Sequence, residues 1–192
     1  VLASVLLILV PLWFSYRSLT KTCPSSICHE QFWVAIYFFS LGIAFLFIEM
    51  AFIQKFIIFL RHPLYAVGVV ISGFLLFAGL GSNCSSHLRE GTASRRNVLI
   101  LSVAVIAGVS LLYLYLLPVL FQHLLWLPDS LKVIVSLCLI APLAFCMGIP
   151  FPLGLSNLSL RAPELIPWAW GINGCASVIS AVLATLLATH VG

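Results

Sequence analysis

Glu49 is the residue in this sequence whose chemistry most needs explaining. It sits inside Phe32 to Ala66, an apolar run long enough to cross a bilayer, with Gln54 and Lys55 near the end of that run. A charged group at bilayer depth costs roughly 2.5 to 3.5 kcal/mol on insertion scales unless it is protonated, paired or facing water. Two readings follow. Either Glu49 is an interhelical hydrogen bond, or it binds a cation or handles a proton. Helical spacing places Phe45, Leu46, Phe52 and Ile53 on its face, and aromatic rings attract a cation. Lys55, six residues on, points elsewhere and is expected to reach for the interface. Asn173 is a candidate partner on another helix, and Gln54, His62 and Tyr65 complete the polar set from which a ligand site for a small cation would be drawn.

Enzyme signatures are missing. There is no Gly-rich phosphate loop between a strand and a helix, no G-x-S-x-G elbow and no H-E-x-x-H helix. The sole aspartate, Asp129, follows Pro128 in a loop, so a carboxylate pair would have to join Glu49 to a loop residue. No catalytic residue, and no cofactor, is assigned to this chain. Cys23 and Cys28, followed by His29 and Glu30, have the look of a metal loop, but the spacing is loose and no second ligand pair lies nearby, so no metal is assigned either. Cys138, Cys146 and Cys175 lie in apolar stretches where cysteine behaves as a small hydrophobe.

The elements that must position these side chains are membrane helices. Hydrophobic residues make up 62% of the chain and charged residues only 7%, with a mean hydropathy of +1.20, far outside the range of a soluble domain. At about 20 apolar residues per crossing, the length allows six or seven helices in one all-α polytopic bundle. The expected helices are about 1–16, 32–60, 63–82, 98–121, 131–149 and 167–191, forming a single transmembrane domain over 1–192 that reads as a fragment of a longer protein. Pro63 suits the first turn of its helix, because its missing N–H is not needed there. Pro150 and Pro152 are expected to break or kink the fifth helix and to free backbone carbonyls. Ser177, Ala181, Thr185 and Thr189, beside Ser180, Ala184 and Ala188, make two columns of small residues suited to close helix packing.

Basic residues set the expected orientation. Arg17, Lys21, Arg89, Arg95, Arg96 and Arg161 stand against Lys55, Arg61 and Lys132 on the opposite side. Loops 17–31, 83–97 and 155–166 are therefore expected in the cytoplasm. The net charge of +4 is spread over loops and reads as headgroup contact, not as a nucleic-acid surface.

Several blocks resemble one family. They are Phe47-Ile48-Glu49-Met50-Ala51-Phe52-Ile53-Gln54-Lys55-Phe56, then Leu60-Arg61-His62-Pro63-Leu64-Tyr65-Ala66, Gly79-Leu80-Gly81-Ser82, Met147-Gly148-Ile149-Pro150-Phe151-Pro152-Leu153-Gly154-Leu155, and Pro167 to Val178 with Trp168, Trp170, Asn173 and Gly174. In this order they are similar to the membrane portion of bacterial spermidine synthase-like integral membrane proteins. The resemblance runs from Ala35 onward. It implies an attached domain of aminopropyltransferase or methyltransferase type, a polyamine connection and a bacterial inner-membrane location. The family's transfer chemistry belongs to that soluble domain, so no catalytic residue is carried onto this chain. Gln54, His62, Tyr65, Pro63, Pro150, Pro152, Trp168, Trp170, Asn173 and Gly174 match the membrane motif without acquiring a role from it. Arg61 departs from the pattern, where a small residue is expected before His-Pro. A fold-level likeness to half of a major facilitator transporter rests on Gly79 to Arg96.

Overall fold

The computed structural model describes residues 25–88, 95–124 and 126–191. The segment 1–16, expected as a first helix, lies outside them. Apart from short turns the described residues are helical, without strands among them: α1 (Ser25–Leu60), α2 (Pro63–Leu88), α3 (Arg95–Leu124), α4 (Asp129–Met147), α5 (Pro150–Arg161), a short 3-10 turn (Pro163–Leu165) and α6 (Ile166–Val191). Five stretches are long and apolar enough to cross a membrane: Gln31–Leu60, Pro63–Ser85, Asn97–Leu124, Asp129–Arg161 and Pro163–Leu187. This is an all-α transmembrane bundle. Its chain divides into two compact units, Val1–Met50 with Leu155–Gly192, and Ala51–Gly154.

Helix boundaries differ from the sequence reading where the polar residues have no interfering turn chemistry. The stretch 25–31, expected in a loop, already belongs to α1, and α2 runs six residues past Ser82. The expected break at the paired prolines is present and short: α4 ends at Met147, only Gly148 and Ile149 intervene, and α5 begins at Pro150. Pro150 falls at a first helical position, where its missing N–H is harmless. The Cys146 carbonyl that a non-proline residue at 150 would have used is taken instead by the Ile149 N–H, at 3.3 Å. The expected loop 155–166 is accordingly helix as far as Arg161, and Asp129–Arg161 forms one continuous apolar stretch.

In the Ala51–Gly154 unit, α2 and α4 run in the same direction, with Gly73 against Leu137 and Ile140, and Gly81 against Phe145. Two glycines make that contact possible. A Cβ at Gly81 would overlap the Phe145 carbonyl, and one at Gly148 would overlap the carbonyl of Ala78. Such backbone approach is how membrane helices gain dispersion energy without a hydrophobic driving force. An aromatic cluster fills the rest of this unit. Phe59 stacks on Phe121 with centroids 4.4 Å apart, and Phe52 meets Phe56, Phe74 and Tyr113 at 5.7, 5.4 and 5.9 Å. The Tyr113 hydroxyl donates to the Leu139 carbonyl at 2.8 Å, tying α3 to α4.

In the other unit, α1 meets α6 at Gly42. A Cβ on Gly42 would stand 2.5 Å from the Asn173 carbonyl oxygen and 2.9 Å from the Ala176 methyl. The Ser180 hydroxyl donates to the Ile43 carbonyl at 2.7 Å. Of the two small-residue columns on α6, the one through Ser180 and Ala184 is therefore the packed one, and Thr185 on the other is exposed.

Arg61 closes α1 with a positive φ of 59°, its N–H donating to the Ile57 carbonyl at 3.0 Å. That is the left-handed helix ending that glycine adopts without steric cost, which accounts for a small residue being expected at this position. Arg61→Gly should therefore raise stability, by about 0.5 to 1 kcal/mol, seen as a higher midpoint in thermal unfolding of the purified chain. Gly42→Leu should do the opposite and lower that midpoint by the equivalent of about 2 kcal/mol or more, because backbone atoms have to separate.

Candidate functional site

The site is built on one stripe of α1. Phe38, Gly42, Glu49, Phe52, Phe56 and Phe59 are buried and Phe45 is half-buried. Their spacing alternates four and three residues, the period that keeps one face of a helix turned inward. Glu49 therefore occupies a core position, and only 7% of it is exposed. By the helix rise it lies roughly 5 Å beyond the midpoint of Gln31–Leu60.

Among the described residues, the Glu49 carboxyl has neither a hydrogen-bond nor an ion-pair partner. Only one fully enclosed side-chain oxygen among them lacks a partner, Ser110 Oγ. The Glu49 oxygens, without a partner among the described residues, are not among the sealed atoms and so keep some accessible surface. A carboxyl in that state can accept a cation or a proton from outside the protein.

Asn173 does not serve as its partner. It packs against Gly42, two helical turns before Glu49 and roughly 10 Å away along α1, and its carbonyl accepts the Ser177 hydroxyl at 2.9 Å. Gln54, five residues after Glu49 on the same helix, is exposed and faces another direction. His62 and Tyr65 are exposed at the turn between α1 and α2, with ring centroids 6.4 Å apart. Of the other motif residues, Pro150 is buried, Pro152 and Gly174 are half-buried, Pro63 is exposed, and Trp168 is half-buried while Trp170 is largely exposed. The structure thus leaves Glu49 without the four polar residues the sequence grouped with it. Cys23 lies outside the described residues, and among those described no cluster of three metal-binding side chains occurs.

Two contributors were not anticipated from the sequence, Gly42 and the burial of Lys132. Gly42, with Ser180 from the expected small-residue column, holds α1 against α6 in the unit that carries Glu49. Lys132, counted with the headgroup-facing residues, is instead buried in the first turn of α4, 4% exposed, with Nζ 3.4 Å from the exposed carboxylate of Asp129. One signal was present for the first of these: Phe38, Phe45, Phe52 and Phe59 recur every seven residues, and Gly42 and Glu49 lie four residues after Phe38 and Phe45.

An unpartnered buried carboxyl destabilises the bundle that holds it. Glu49→Met should raise the thermal unfolding midpoint by the equivalent of roughly 1 to 3 kcal/mol, whereas a fall would reveal an interhelical partner. No protein-family model, curated protein or solved structure matches this chain.

Proposed function

We propose that this chain is the membrane domain of a spermidine synthase-like protein and that Glu49 is its binding site for a small cationic solute, such as a polyamine. The observation that carries the cation site is the carboxyl itself: core-facing, deep in a span, unpartnered among the described residues and still accessible. A glutamate kept as interhelical glue would have a donor against it, and none is present among those residues. The family blocks support the remainder of the reading. In it, the domain anchors an aminopropyltransferase- or methyltransferase-like domain in a bacterial inner membrane, and cation occupancy of Glu49 is sensed by that domain or leads to transport. Catalysis is not assigned to this chain.

The basic residues still support placing 17–31, 83–97 and the Arg161 end of α5 in the cytoplasm. Lys132, buried and paired, no longer weighs on the opposite side.

A hydrophobic carbodiimide tests the site directly, since it modifies carboxyls within the bilayer. Mass spectrometry should find Glu49 modified in the lipid-embedded chain, with spermidine slowing that modification in a saturable way. Modification that spermidine leaves unchanged would favour a purely anchoring domain, with Glu49 a structural residue.

A further inference from the structure

The number of charges in the membrane interior limits what the site can hold, an argument that rests on the cation reading of Glu49. The chain has five acidic residues, Glu30, Glu49, Glu90, Asp129 and Glu164. Glu30 precedes the first span, Glu90 falls between the second and third, Asp129 opens the fourth, and Glu164 is the second residue of the fifth. Glu49 alone lies well inside a span, roughly 27 Å from the start of Gln31–Leu60 and roughly 16 Å from its end by the helix rise.

We infer that the Glu49 site accommodates a single positive charge, and so takes one ammonium group or monovalent cation at a time, favouring an ammonium on an apolar body and admitting a polyamine only by one end. One ammonium beside one carboxylate leaves no net charge in the hydrocarbon. A second ammonium a few bonds away meets no counter-charge. Along α1 the next turns toward Leu60 present Phe52, Ile53 and Phe56 on the buried face, and the next charged side chain is Lys55, itself positive and exposed. The phenylalanines suit the apolar body of a ligand and the face of one cation. A polyamine would enter by one end only and gain nothing from its remaining charges.

The test is titration of the chain, embedded in lipid nanodiscs, with butylammonium, putrescine and spermidine. These probes share a four-carbon unit and differ in charge. Butylammonium should bind at least as tightly as putrescine, with a second ammonium forced into hydrocarbon weakening binding by up to roughly a hundredfold. Glu49→Asp should retain binding and Glu49→Gln should lose it, both with the unfolding midpoint measured to confirm that they fold. Affinity that rises tenfold or more from butylammonium to putrescine to spermidine overturns the single-charge inference while leaving the cation site standing. Failure of all three amines to bind overturns both.

Discussion

Contact between backbones, more than burial of side chains, holds this protein together. In hydrocarbon a leucine gains nothing by leaving lipid for protein, so helices associate where their surfaces fit closely enough for dispersion and hydrogen bonding. Gly42 on α1, Gly81 on α2 and Gly148 after α4 each mark a place where a Cβ would collide with a backbone carbonyl or a methyl group. At Gly42 the helices come close enough for a side chain to reach the facing backbone. The Ser180 hydroxyl on the Ile43 carbonyl is the direct result beside Gly42, and the Tyr113 hydroxyl on the Leu139 carbonyl is its counterpart between α3 and α4.

This arrangement gives α1 its central part. Its inward stripe supplies Gly42 to the contact with α6, and Phe52, Phe56 and Phe59 to the aromatic cluster with Phe74, Tyr113 and Phe121. Glu49 falls on the same stripe, between those two groups of contacts in sequence. Glu49 lies seven residues after Gly42 on that stripe, so the contact of Gly42 with α6 fixes the face of α1 on which its carboxyl stands. The cost of a polar group on the stripe is then borne by the fold, which is the usual mark of a residue retained for function.

The paired prolines illustrate how little backbone disruption the bundle tolerates. Pro150 and Pro152 remove two donors, yet the Ile149 N–H reaches back to the Cys146 carbonyl and the helix resumes at once. Within lipid an orphan carbonyl has no water to turn to, so the chain tightens rather than opens. Gly148 is well suited to that position for a second reason, because the backbone of α2 passes against it at Ala78.

The solvent of this protein was legible in the sequence: composition and long apolar runs dictate an all-α membrane bundle, because only helices or closed barrels satisfy their backbone in lipid. The inward stripe of α1 left a signal too: phenylalanines at 38, 45, 52 and 59 recur every seven residues, with Glu49 four residues after Phe45. What the sequence could not determine was which polar residues meet. Gln54, His62, Tyr65 and Asn173 are all plausible companions for a lone carboxylate on grounds of residue type. Tertiary packing instead exposes the first three and sets Asn173 against Gly42. Likewise it buries Lys132, which reads as an interfacial lysine from its position near Pro128. Periodicity assigns a residue to a face of its own helix. Only the crossing of one helix over another decides what stands opposite, and in a membrane that crossing is set by a few close backbone contacts.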